Sequence, residues 1–340
     1  MTIGVLAHVD AGKTTFSERV LSLSGAIRTM GRVDHGDAFL DAHPIERERG
    51  ITIFSDQALL ERDGDTIYWV DTPGHADFSP EMERAVSVMD AAVVVVSCAE
   101  GVQSHTETVF RLLRENCVPT LIFLNKTDRE GADAEKVLAQ MKRLLSPDVI
   151  DARGFAGGTM SETLAEEVAA RDETLIERLF DTGYDEALWL SELSRQVMAC
   201  AAFPVLAGSA LRGDGVEEFM RALRALVRTD WHTRETGPFR ARAYKIRHDA
   251  QGGRLCFFKV LSGAAAVRDE IETPQGPAKL SALSVWHGPR ARSVERAAAG
   301  DLCACPGLEG VMPGDTLGEG AARRTAEWSC EPMLTADVLW

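Results

Sequence analysis

Continuous apolar runs alternate along the first part of the chain with segments whose apolar positions recur at helical spacing. "IGVLA" (3–7), "AAVVVVS" (91–97) and "PTLIFL" (119–124) are unbroken apolar stretches, as in strands buried on both faces of a parallel sheet. "FPVLAGSA" (203–210) returns to that texture. Between these runs, "TTFSERVLSLSG", "SHTETVFRLLREN", "DAEKVLAQMKRLLS" and "GVEEFMRALRALV" read as amphipathic helices, the first ending at Gly25. "ITIFSDQALLE" and "DTIYWVD" read as two strands joined in hairpin style by "RDGD". "TPGHADFSPEMERAVSVMD" is a loop entering a helix. The alternation predicts an α/β domain over residues 1–230, with a mostly parallel sheet flanked by helices. Residues 157–200 are acidic and helical in pattern, without a strand-like run, and read as a short helical insertion.

From Gly237 the pattern changes. The short β-type segments "FRARAYKIRH", "RLCFFKVLSG", "DEIETP", "KLSALSVW" and "SVERAAAGDLCACPG" are separated by Gly, Pro and charged turns. They predict a small antiparallel β-barrel over about 237–325. The closing "EPMLTADVLW" reads as the first strand of a further domain begun at 326–340. "MGRVDHGDAFLDAHPIERERG" (30–50) has no period and is rich in charge and Gly. It reads as a long mobile loop with few apolar anchors, and such loops in compact domains are usually functional or disordered.

Charge and cysteine usage narrow the class. A formal net charge of −15 excludes indiscriminate nucleic-acid binding through a global positive field. The seven cysteines are scattered, odd in number and without zinc-type spacing; "CAC" at 303–305 reads as the two alternate faces of a strand. This usage favours a reducing cytoplasm over a disulfide framework. No apolar run reaches transmembrane length. The reading is therefore a cytoplasmic protein with no membrane partner, and a monomer is expected.

The candidate chemistry sits where predicted strands end. "AHVDAGKTT" (7–15) joins the first strand to the first helix and matches G-x-x-x-x-G-K-[ST] except for Ala7 at its first position. On this reading Asp10, Ala11, Gly12, Lys13, Thr14 and Thr15 bind nucleotide. Backbone N–H groups and the helix N-terminus face the anion, Lys13 reaches the β- and γ-phosphates, and the Thr14 hydroxyl ligates Mg²⁺. In "VDTPGH" (70–75), Asp71 can hold Mg²⁺ through water and the Gly74 N–H can meet a γ-phosphate, although a lone D-x-x-G is common by chance. In "NKTD" (125–128), Asp128 can accept from the N1–H and exocyclic amine of guanine, a pair that adenine lacks. Asn125 would tie this loop to the phosphate loop, and the Lys126 stem would lie along the base. In "GSAL" (208–211), backbone N–H groups of Ser209, Ala210 and Leu211 can meet guanine O6. Each motif alone also reads as a polar turn at a strand end. Together, in order and at one edge of one sheet, they point to GTP and GDP. Asp128 opposes an ATP-using enzyme.

"AHVDAGKTT", "ERGIT", "VDTPGH", "NKTD" and "GSAL", in this order, resemble the translational GTPases related to elongation factor G. Through "DAGKTT", "ERERGITI", "VDTPGHADF", "SVMDAAVVVVSCAEGVQSHT" and the short helical insertion, the chain is similar more closely still to the ribosomal-protection tetracycline-resistance proteins. The resemblance covers essentially the whole chain; "NKTD" departs from the more usual Asn-Lys-Ile-Asp. It implies a GTPase stimulated by the ribosome, its partner, with most ribosome contacts in domains beyond Trp340. It implies that Thr52 closes onto Mg²⁺ and the γ-phosphate, so that residues 34–51 are ordered with GTP and released on hydrolysis. It implies that His75 orients the attacking water, that Val9 and Ile51 are the apolar pair flanking this His until the ribosome repositions it, and that Asp10 stands where related factors can hold a monovalent cation. An elongation factor G-like translocation factor and a GTP-switched binding module with little turnover are the alternatives. Intact Thr52 and His75 weigh against the second. His8, His35, His43 and His105 read as loop or surface residues, and Trp69 and Trp286 as packing.

Overall fold

The computed structural model describes residues 1–31, 38–40, 46, 52, 55–62, 65–75, 79–155, 159–248 and 252–323. The first apolar runs form β1 (Thr2–Ala7), β4 (Ala91–Ser97) and β5 (Thr120–Asn125), and every residue of all three is buried. With β2 (Asp56–Arg62), β3 (Asp65–Asp71), β6 (Val149–Asp151) and β7 (Phe203–Ala207) they make a seven-stranded sheet in the order β2-β3-β1-β4-β5-β7-β6. Only the β2–β3 pairing is antiparallel. The three-residue edge strand β6 is too short to carry an apolar run, so the sequence pattern does not reveal it.

Two cores follow from the two-residue period of the strands. Val93, Val95, Leu121 and Phe123 face one core, and Val94, Val96, Ile122 and Leu124 the other. On the first side lie α1 (Lys13–Leu23) and α8 (Val216–Leu226), whose Phe16 and Phe219 rings pack on Phe123 with centroids 4.6 and 5.4 Å away. The acidic segment adds α5 (Glu162–Ala169), α6 (Glu173–Thr182) and α7 (Glu186–Met198) to the same side. Its Leu164, Trp189 and Leu193 join that core, so these helices extend the domain rather than standing off it. On the second side lie α2 (Ser79–Val86), α3 (Ser104–Glu115) and α4 (Ala134–Leu144).

Of the loop expected at 34–51, only 38–40 and 46 fall among the described residues. Ala38 and Leu40 are buried, and the Glu18 carboxylate of α1 accepts from the Gly31 N–H at 2.7 Å and the Phe39 N–H at 2.6 Å. His35, His43, Ile51 and residues 326–340 lie outside the described residues.

The later segments form an antiparallel sheet in the order β14-β13-β16-β9-β8-β17. Its strands are β8 (Arg240–His248), β9 (Arg254–Ser262), β13 (Leu283–His287), β14 (Arg290–Val294), β16 (Leu302–Pro306) and β17 (Thr316–Gly318). Two ribbons, β10 (Ala264–Ala266) with β15 (Arg296–Ala298) and β11 (Glu270–Thr273) with β12 (Gly276–Lys279), pack on its core. Cys303 and Cys305 are two residues apart on β16 and therefore share a face, which corrects the reading of alternate faces. Both are buried and free, and so is Cys256, which pairs with Cys305 across the strands; burial pushes the Cys256 thiol up to about 12.

This core also takes in Tyr68, Val70, Ala85 and Val88 of the α/β domain, so the two sheets share a seam. At one end of the seam Lys259, 1% exposed, donates to Asp90 Oδ1 at 2.5 Å and to the Val88 carbonyl at 2.9 Å. Asp90 also accepts from the Thr2 N–H at 2.7 Å and from Trp231 Nε1 at 3.0 Å. Trp286 packs its ring 5.6 Å from Phe257 and beneath the Arg247 guanidinium.

Candidate nucleotide-binding site

The loops after β1, β3, β5 and β7 meet at one edge of the parallel sheet and surround a cavity of about 410 Å³. Its lining includes Asp10, Gly12, Lys13, Thr14, Thr15, Thr52, Gly74, His75, Asn125, Lys126, Asp128, Ser209 and Leu211. Residues more than 190 positions apart in sequence therefore share one wall. Ala11, Asp71 and Ala210 do not line it and act from behind.

The first loop needs unusual backbone at two positions, Asp10 (φ 63) and Gly12 (φ 91). Gly12 is the residue before α1 and stands in the left-handed region, which glycine enters without steric cost. A side chain there would also run into the Asn125 amide. That amide joins three loops: Nδ2 donates to the Ala11 carbonyl at 2.9 Å, and Oδ1 accepts from the Ala210 N–H at 2.9 Å.

Lys13 marks one end of the cavity. Lys13, 7% exposed, forms an ion pair with fully buried Asp71 and donates to Thr52 Oγ1 at 3.3 Å. Asp71 is steadied further by the Ser17 hydroxyl at 3.1 Å, which in turn accepts from Trp69 Nε1 at 3.1 Å. At the other end, a hydrogen bond from Ser209 and the nearby Arg212 and Arg129 cations hold the Asp128 carboxyl below the usual carboxylate range. Lys126 Nζ stands 3.1 Å from Glu100 across the rim. His75 is exposed and lines the cavity, as does Val9. His8 and His105 are part-buried with rings 6.2 Å apart, so they are not simple surface residues. Burial, with His8 and His75 close by, draws the His105 imidazole below its ordinary range.

Residues 1–229 match the family of the elongation factor Tu GTP binding domain. The chain belongs to that family. Residues 238–320 match elongation factor G domain 2. The chain is 34% identical to the oxytetracycline resistance protein of Streptomyces rimosus, over 94% of this chain and 52% of that protein. It is also 34% identical to elongation factor G 1 of Geobacter sulfurreducens, over 99% of this chain and 58% of the relative. The crystal structure of a Thermus thermophilus protein shares the fold, with a TM-score of 0.83 at 23% identity, covering 96% of this chain and 54% of that one. The chain spans about half the length of the curated relatives it matches. Its first part is thus a GTPase domain of translation-factor type, related both to tetracycline-resistance proteins and to elongation factor G.

In this GTPase domain, sequence reasoning passed over several supporting side chains. Arg19 of α1 donates to the carbonyls of Ala210 at 3.0 Å and Leu211 at 2.6 Å, and so fixes the last loop against the first helix. Arg212 lies 3.3 Å from Asp128. Ser17, Arg19 and Arg212 belong to no motif, and their partners are distant in sequence. The indole N–H of Trp69 does more than pack, because it orients the hydroxyl that holds Asp71.

Proposed function

We propose that this chain binds and hydrolyses GTP on the ribosome as part of a ribosomal-protection factor of the tetracycline-resistance type. The observation that carries the nucleotide reading is the cavity where Lys13, Thr52, His75 and Asp128 meet at the carboxyl edge of a parallel sheet. Lys13 would exchange Asp71 for the β- and γ-phosphates, and Asp128 would select guanine. His75 would orient a water whose oxygen bonds to the γ-phosphorus as the bond to the bridging oxygen breaks. GDP and inorganic phosphate leave, and the water's proton passes to the phosphate.

Thr14, Thr52 and Asp71 offer hard oxygen donors at the phosphate end. Among the described residues no group of three or more His, Cys, Asp and Glu side chains gathers to hold a metal. That donor set fits Mg²⁺ bound chiefly through phosphates and water, where it would neutralise phosphate charge. Exposed Asp10 at the cavity wall is where a monovalent cation would add to this. Action in the cytoplasm as a monomer completes the reading, and elongation factor G-like translocation is the second one, supported by the equal identity to elongation factor G 1.

The test uses the complete protein with ribosomes. His75→Ala should leave GDP affinity within about twofold while ribosome-stimulated turnover falls by roughly 10²–10⁴-fold, since general acid–base and water-orienting groups contribute on that scale. Unchanged turnover would remove His75 from the chemistry. Relief of tetracycline-inhibited translation supports ribosomal protection; restored translocation in an extract lacking its elongation factor G supports the second reading.

A further inference from the structure

Strand β2 begins four residues after Thr52, and its first residues are held from the other side of the seam. Lys245 of β8 is 7% exposed; it donates to Asp56 Oδ1 at 3.0 Å and to the Ser55 carbonyl. Arg247 approaches the same carboxylate oxygen at 3.8 Å. Tyr244 Oη donates to Gln57 Oε1 at 2.7 Å, and Gln57 Nε2 donates to the Trp286 carbonyl at 3.3 Å. The Gly288 N–H donates to the Gln57 carbonyl at 2.7 Å. The Leu59 N–H donates to His287 Nδ1 at 3.0 Å, which leaves the proton of the neutral ring on Nε2, facing the Ala26 carbonyl at 3.2 Å.

The other side of the loop rests on the same hairpin. The Phe39 ring packs 4.7 Å from the His287 ring. Gly288, with φ 54, makes room for it, since a Cβ there would stand 2.5 Å from the Phe39 ring. Residues 39, 57 and 59 therefore sit on the tip between β13 and β14, and residues 55 and 56 are held by β8.

We propose that this tip, together with Lys245 and Tyr244, is a seat that positions Thr52 for the γ-phosphate, so that the antiparallel domain sets how strongly the site prefers GTP over GDP. Only three residues separate Thr52 from Asp56, a span of at most about 14 Å. A buried Lys–Asp pair is a poor source of stability, because desolvation offsets its attraction; fixing one register is its better-attested use. Lys245 and Tyr244 are positioning residues, acting on the nucleotide through residues 55–57 and Thr52.

The inference rests on reading Thr52 as the γ-phosphate residue, and the test separates the two. Affinities of the 340-residue chain for GDP and for the slowly hydrolysed analogue GTPγS, both with Mg²⁺, are measured by calorimetry. Thr52→Ala and Lys245→Met should each lower GTPγS affinity about tenfold relative to GDP, a usual size for coupling between sites. The double variant should lose no more than Thr52→Ala alone, and Lys245→Arg should recover most of the loss. Tyr244→Phe keeps the ring and removes one hydrogen bond; it should cost about threefold for GTPγS and decides the matter if Lys245→Met does not fold. If Thr52→Ala lowers GTPγS alone while the seat variants lower both nucleotides equally, or neither, the seat is overturned and the reading of Thr52 stands. If Thr52→Ala leaves the ratio unchanged, both fall.

Discussion

The Lys13 end of the cavity and the seam between the sheets bury the same kind of pair. Lys13 faces Asp71 in the first; Lys259 faces Asp90 in the second, where the ammonium also has a carbonyl and lies 4.6 Å over the Trp231 ring. Their surroundings differ. Lys13 borders a cavity of about 410 Å³, whereas Lys259 is enclosed at 1% exposure. An enclosed pair holds two elements in register. A pair beside open space can trade one partner for a ligand of the same charge. Exposure values of 7% and 1% hardly distinguish these lysines; the adjacent volume does.

Exchanging the two lysines for alanine should pull the regions apart. Lys13→Ala should lower affinity for GDP and GTP by on the order of 10²–10³-fold in calorimetry, as expected when one member of a buried charged contact is removed. Lys259→Ala should instead lower the urea-measured unfolding free energy by about 3–5 kcal/mol, because Asp90 is left as an uncompensated buried charge. GDP affinity of the folded variant should stay within about twofold. Comparable losses of GDP binding in both variants would erase the distinction.

A smaller effect sharpens the ligand side. Asp128→Asn should weaken GDP by roughly 1–3 kcal/mol, since it removes an acceptor that guanine needs. Xanthine nucleotides, whose exchanged donor and acceptor suit an amide, should gain. Equal wild-type affinity for GDP and ADP in the same calorimeter would sink the guanine assignment.

The smallest effect belongs to the seam and to pH. Burial draws His287 below its ordinary range; the Ala26 carbonyl and Glu61 pull the other way, and Arg290 adds to the fall. The unfolded ring takes a proton near pH 6.5 while the folded ring stays neutral. Stability from this group is therefore complete above that pH and declines as pH falls through the lower folded value. Urea midpoints on either side of pH 6.5 should show the decline, and His287→Gln should flatten it. His105, also drawn down by burial, keeps its share in that variant.

Much of the α/β domain was legible because its signals are local. Apolar runs at 91–97 and 119–124 are long enough to identify strands buried on both faces, and each motif directly follows a strand end. Order along the chain then placed Lys13, Asp71, Asn125 and Asp128 at one edge, since parallel strands align their carboxyl ends. Asp56, Asp90, Lys245 and Lys259 carried no such signal. In sequence they look like the solvated positions of strands and turns, and their partners lie 169 to 189 residues away. Their burial comes from packing one sheet against the other, which replaces water with a specific opposite charge; no local pattern encodes that exchange. The same holds for Arg19, whose role appears only when the chain returns after nearly 200 residues to offer it two carbonyls.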